Sequence, residues 1–204
     1  MKKYKLIIFD LIDTLANSDG IVKATELLEK DLGKESIKLL IDDGQIDKEP
    51  TVNSVICKFK KKRSITNEQE KLVRQWVEWS DISLYEDAIQ VLKYLKSKGY
   101  RIAIISNSTP TSKDTINDLG IKNMIDNSFF SFETGYRKPE KEIFEFVLNK
   151  IGVDPKDAVM IGDSMKNDIL GAQSANIDAI LLNRKNNIDF KPKITSLTDL
   201  MVIL

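Results

Sequence analysis

From about residue 81 onward, short apolar runs alternate with amphipathic stretches. Strand-like runs at 101–106, 128–132, 158–162 and 179–182 are separated by helical patterns at about 86–98, 111–119, 140–150 and 166–175. Gly99, Gly120 and Gly152 come after the first three helical patterns, where a left-handed residue closes a helix. In the third, Ile143, Phe144, Val147 and Leu148 share one face. Near the start, Leu6, Ile7, Ile8 and Phe9 read as a further buried strand. Strands alternating with helices of this length predict βαβ units around a parallel sheet.

Residues 16–80 keep a different rhythm. Val52, Val55, Ile56 and Phe59 fall at i, i+3, i+4 and i+7, one face of a helix. Leu72, Val73, Trp76 and Val77 form a similar stripe, with Thr66 or Asn67 as its cap. No strand is expected in this span. The expected organisation is an α/β core made of 1–15 and 81–204, interrupted by a helical insert at 16–80.

Composition narrows the function more than the fold. A chain of 204 residues suits one core with a small insert. Its formal net charge is zero, so nothing favours nucleic acid or an anionic membrane as a partner. The first apolar run is cut short by Asp10, too early for a signal peptide, and no stretch is long enough to span a bilayer. Cys57 is the lone cysteine; it reads as a packing residue, excludes an intrachain disulfide and fits a reducing cytoplasm. Histidine is absent, which removes Ser-His-Asp, Cys-His and His-ligated zinc schemes. Chemistry must rest mainly on Asp, Glu, Lys or Ser. The basic run Lys58 to Arg63 reads as a solvated helix end, and Trp76 and Trp79 as packing residues.

Four groups of residues sit where such a sheet gathers its loops. Asp10 directly succeeds the first strand, the usual place for chemistry in an open α/β sheet. Ser106 and Asn107 end the 101–106 strand. Lys138 precedes Pro139, which is expected in the first turn of the next helix. Asp163, Ser164 and Asp168 come after the 158–162 strand; a helix cap accounts for Asp163 or Ser164 but not for Asp168. Asp10, Asp163 and Asp168 together would repel one another without a cation. Mg²⁺ takes one or two carboxylates plus phosphate oxygens and water, which this set supplies. Lys138 adds a point charge suited to a phosphate oxygen.

In order and spacing these groups resemble the four motifs of the haloacid dehalogenase-like (HAD) hydrolases, whose first motif reads Asp-x-Asp-x-Thr. Asp10 and Thr14 fit that motif, and Ile12 stands at its second aspartate. The resemblance implies a Rossmann-like core, with the insert as the helical cap of the subgroup that holds many small-molecule phosphatases. It implies Asp10 as nucleophile and metal ligand, with the Ile12 backbone carbonyl as a further ligand. Ser106 would hold a phosphate oxygen with Asn107 nearby, and Lys138 would neutralise the phosphoryl group. Asp163 would complete a Mg²⁺ site, with Asp168 as ligand or support. The implied partner is a small phosphorylated substrate.

Ile12 alters the chemistry to be expected of such a site. In most family phosphatases the aspartate at this place protonates the leaving oxygen and later activates water, and isoleucine does neither. General acid–base help is worth roughly 10²–10⁴ in rate, about 3–5 kcal/mol of barrier. Turnover should therefore favour activated phosphates, such as acyl or aryl phosphates, over sugar phosphates. Asp13 is the obvious substitute, although an adjacent side chain should point elsewhere. Dehalogenases and phosphonatases of the family also lack this aspartate, and a degenerate enzyme kept as a regulatory or binding module shares the same fold.

Overall fold

A computed structural model describes residues 4–17, 19–35, 52–77, 82–108, 114–185 and 187–204. The core is a parallel sheet of six strands. In chain order these are β1 (Leu6–Phe9), β4 (Arg101–Ser106), β5 (Asn127–Phe130), β6 (Ala158–Gly162), β7 (Asp178–Leu182) and β8 (Lys193–Ile194), arranged β5-β4-β1-β6-β7-β8. Two further strands, β2 (Ala16–Asn17) and β3 (Ser83–Leu84), pair antiparallel outside the sheet.

The period of two along each strand divides the core between the two faces. Ile7, Phe9, Ile102, Ile104, Val159 and Ile161 face one side, where they meet Ala88, Val91, Leu92 and Leu95. Leu6, Ile8, Ala103, Ile105, Ala158 and Met160 face the other, against Ile143, Phe144, Val147 and Leu148. The helices that supply these faces are Glu86–Ser97 and Lys141–Ile151, close to the predicted spans. Strands buried on both faces are what a parallel sheet requires. No described helix is long and apolar enough to cross a membrane.

The chain leaves β1 through β4 to β5, then crosses back to β6 and continues outward to β8. The strand order therefore reverses between β1 and β6, whose partners run Leu6↔Ala158 to Phe9↔Ile161. At such a reversal, the loops beyond the carboxyl ends of the strands part and open a crevice. Asp10 and Asp163 stand on its two sides.

Among the described residues between β2 and β3 are the helices α1 (Asp19–Leu32), α2 (Val52–Lys62) and α3 (Asn67–Val77). Helix α3 packs against both α1 and α2. Ile56, Phe59 and Val73 of the predicted stripes are buried and Leu72 is half-buried, while the side chains of Val52, Val55 and Val77 lie outside the described residues; Leu28 and Leu32 on α1 are buried as well. Lys60 of the basic run bridges to Glu70 on α3. Cys57 is exposed, not packed, because Ile56 and Phe59 take the buried side of its helix. Trp79, the side chain of Trp76, and residues 36–51 and 78–80 of the predicted insert lie outside the described residues. So do the first residues of the predicted 111–119 helix, whose described part is Thr115–Asp118.

Four other departures have local causes. The ribbon β2–β3 puts a strand inside the span expected to be wholly helical; it is only two residues long and carries no periodic signal. The 128–132 run stays extended only to Phe130. Ser131–Thr134 turns into a short helix, because buried Ser131 exchanges hydrogen bonds with the main chain of Ser108 and Gly135 closes the turn at φ +76°. Pro139 lies ahead of the helix Lys141–Ile151, since the Glu140 side chain and main chain both bond Arg137 to form a separate turn first. The predicted 166–175 helix starts as a wide π turn, Met165–Leu170, in which the Ile169 N–H reaches back five residues to the Ser164 carbonyl.

That wide turn brings Asp168 back over Gly162. A Cβ at Gly162 would lie 2.4 Å from the Asp168 carboxyl carbon, and Asp168 is fully buried and pinned at both oxygens. Gly162→Ala is therefore expected to cost about 1–3 kcal/mol by overpacking, seen as a fall in the urea unfolding midpoint. A midpoint equal to wild type would show that Asp168 yields freely.

Candidate active site

Each side chain of the site is carried by the end of a core element. Asp10 continues β1, and its N–H still bonds the Ile161 carbonyl of β6 at 2.9 Å. Ser106 closes β4, and Asp163 comes directly after β6. Lys138 stands on the loop before the helix Lys141–Ile151 and is held by its main chain. Asn107 accepts from the Lys138 N–H and donates to its carbonyl, both at 2.8 Å. Asn107, expected near a phosphate, thus uses both ends of its amide on the lysine. Ser106 is buried, and its hydroxyl accepts from Ser108 Oγ at 2.8 Å.

The Lys138 ammonium forms the centre. It lies 2.5 Å from Asp10 Oδ1 and 2.6 Å from Asp168 Oδ1, with the lysine side chain only 3% exposed. The other oxygen of Asp168 accepts the Ser164 N–H at 2.9 Å, so both its oxygens are engaged. Asp163 is held by Thr14, whose hydroxyl donates to Oδ1 at 3.3 Å. One oxygen each from Asp10, Asp163 and Asp168 lie within 4.8 Å of one another.

Asp10 and Asp163, crowded with a third acid around one base, hold on to protons. Burial pushes Asp10 up to about 8; Lys138 opposes this, while Asp168 and Asp163 add to it. Burial likewise lifts Asp163 to about 6, helped by Asp168 and then Asp13. Burial alone would depress the Lys138 ammonium, but Asp10 and Asp168 hold it above its ordinary value. The excess negative charge, all of it on hard carboxylate oxygens, fits a divalent cation such as Mg²⁺.

All seven residues singled out from the sequence, Asp10, Ile12, Ser106, Asn107, Lys138, Asp163 and Asp168, line one cleft of about 530 Å³. Arg137 and Lys166 also line it and carry no sequence signal of their own; Asn167, next to Asp168 in the fourth group, lines it too. Ile12 packs partly against the core as well as facing the cleft. Asp13, expected to point elsewhere, lines this cleft and a second one of about 460 Å³ beside it. Its backbone takes a left-handed φ of +61°, in a turn closed by its N–H to the Ala16 carbonyl.

The model of the haloacid dehalogenase-like hydrolase family matches residues 4–176, most of the chain. The chain belongs to this family. The protein is thus a hydrolase of the HAD type. It is similar to glyceraldehyde 3-phosphate phosphatase of Methanothermobacter thermautotrophicus, with 29% identity covering 88% of this chain and 85% of that one. It also resembles phosphoglycolate phosphatase of Colwellia psychrerythraea, 36% identical over 48% of this chain, though the match spans only 43% of that relative. Among solved structures, a 2-haloacid dehalogenase from Pseudomonas syringae pv. Tomato shares the fold, with a TM-score of 0.71, 22% identity and coverage of 98% and 97% of the two chains.

A cation entering this HAD site must displace a proton from Asp10 below pH about 8. With the folded-state value raised, the protonated form gains as pH falls. Apparent Mg²⁺ affinity is expected to drop about tenfold between pH 7 and pH 6, for one proton released per ion. Calorimetric titration at the two pH values checks this; equal affinities would show that Asp10 is already ionised.

Proposed function

We propose that this protein is a Mg²⁺-dependent phosphatase acting on a small phosphorylated metabolite through an aspartyl-phosphate at Asp10, with a preference for activated phosphates. The observation that carries the reading is the buried Lys138 ammonium, shared by Asp10 and Asp168 at the floor of an open cleft. A cation fixed beside a carboxylate nucleophile suits a phosphoryl group, whose charge is spread over three oxygens. The phosphatase names of the relatives support the same substrate class.

Asp10 attacks phosphorus with a carboxylate oxygen, and the bond from phosphorus to the leaving oxygen breaks with its electron pair on that oxygen. Lys138 and Ser106 hold the phosphoryl oxygens as the geometry inverts. Water then attacks the aspartyl-phosphate, releasing phosphate and restoring Asp10. Asp10, Asp163 and the Ile12 carbonyl would hold Mg²⁺, which when bound supplies charge neutralisation for the phosphoryl group. Asp168, with both oxygens engaged, orients Lys138. The helical unit α1–α3 acts as the cap, with 16–80 as insert and 1–15 and 81–204 as core, and the enzyme works in the cytoplasm.

The leaving oxygen meets Ile12 where an acid would stand, so a leaving group that is stable as an anion departs fastest. Assays of acetyl phosphate, p-nitrophenyl phosphate and sugar phosphates, with and without Mg²⁺, test this in wild type, Ile12→Asp and Asp10→Asn. Turnover should need Mg²⁺ and favour the first two substrates. Ile12→Asp should raise sugar phosphate hydrolysis by up to ~10²-fold, and Asp10→Asn should abolish turnover. Wild type that binds Mg²⁺ and phosphate without turnover would make the protein a binding module. Halide release from haloacids, indifferent to a chelator, would place it with the dehalogenases.

A further inference from the structure

Arg184 stands two residues beyond the carboxyl end of β7, outside all four family motifs. Its guanidinium is held by two chain segments, the turn at Thr14 and the start of the helix Glu86–Ser97. Nη1 and Nη2 form a two-pronged pair with Asp87, each bond 3.0 Å long. Nη2 also donates to the Thr14 carbonyl at 3.0 Å. The group stacks on the Tyr85 ring, with Cζ 3.8 Å from the ring centroid. Asp87 is itself fixed by the Ser196 hydroxyl at 2.8 Å and the Leu197 N–H at 2.9 Å. Burial pulls the Asp87 carboxyl up, but Arg184, Ser196 and Leu197 together hold it below the usual carboxylate range.

The fork keeps this plane although its Nε is buried with no hydrogen-bond partner among the described residues. What the plane serves lies at Thr14. The Thr14 carbonyl takes Arg184, while its hydroxyl holds Asp163. Thr14 also sits in the tight turn from Asp10 to Ala16, where Leu15 and Ala16 bond the Leu11 carbonyl. That turn carries Ile12 and Asp13 along the cleft wall. The Tyr85 N–H bonds Leu15, so the chain segments entering and leaving the helical unit meet at the same place.

We infer that Arg184 is a positioning residue for the cation site, acting through Thr14 to orient Asp163 and the Ile12 turn. This rests on the Mg²⁺-dependent reading of the site. Lysine cannot do the same work, because it has neither the fork that spans Asp87 and Thr14 nor a flat face for Tyr85. Groups that orient metal-binding side chains from behind are commonly worth 10–100-fold in metal affinity.

Calorimetric Mg²⁺ titration of wild type, Arg184→Lys and Asp87→Asn, each first shown folded by circular dichroism, tests the inference. Arg184→Lys should weaken Mg²⁺ binding by about tenfold. Its kcat on p-nitrophenyl phosphate should fall at low Mg²⁺ and recover when Mg²⁺ is saturating. Asp87→Asn keeps the shape beside Ser196 and Leu197 but loosens the guanidinium. It should give a smaller loss in the same direction, and it carries the test alone if Arg184→Lys does not fold. A purely structural role would lower the melting temperature and leave Mg²⁺ affinity of the folded variants at the wild-type value, which overturns the inference. Wild type that takes up no Mg²⁺ overturns the phosphatase reading and this inference together.

Discussion

One buried ammonium holds the site together. Lys138 draws Asp10 and Asp168, from opposite ends of the chain, to within hydrogen-bond reach of a single nitrogen. Each residue is held there by something else as well: the Asp10 main-chain N–H by the Ile161 carbonyl of β6, and the Asp168 carboxylate by the Ser164 N–H. Removing a charged partner from such a buried set leaves uncompensated charge, which is far more costly than losing a surface pair. The lysine therefore couples the folding of the two halves of the sheet to the assembly of the cleft.

The backbone around it is shaped to make that meeting possible. Gly162 leaves room for Asp168, the π turn rotates Asp168 inward, and Asn107 grips the Lys138 main chain. None of these contributes a reacting atom. They set positions, and the reversal of strand order between β1 and β6 supplies the space into which those positions face.

The sheet was legible in the sequence because its strands are buried on both faces and read as unbroken apolar runs, as in Ile102 to Ile105. The short pieces were not. β2, β3 and β8 are two residues each, too brief for any period to register. Asp10, Ser106, Asn107 and Asp163 were legible because they sit next to strand ends, and Lys138 and Asp168 because they follow in the family's order; Ser108 and Arg184 were not, because a lone serine or arginine in a loop has no pattern. The place of Asp13 on both clefts was hidden for a backbone reason: it takes a left-handed φ, which alternation along an extended chain would not anticipate.

The antiparallel pairing of Ala16–Asn17 with Ser83–Leu84 has a topological meaning. Neighbouring strands lie about 4.8 Å apart, so everything between these two points departs from the core and returns to it through a single narrow neck. A segment attached in this way can be lengthened, shortened or exchanged while the six-stranded sheet keeps its register. The strand ends that carry the cleft residues are thereby fixed independently of how much chain is looped out between Asn17 and Ser83.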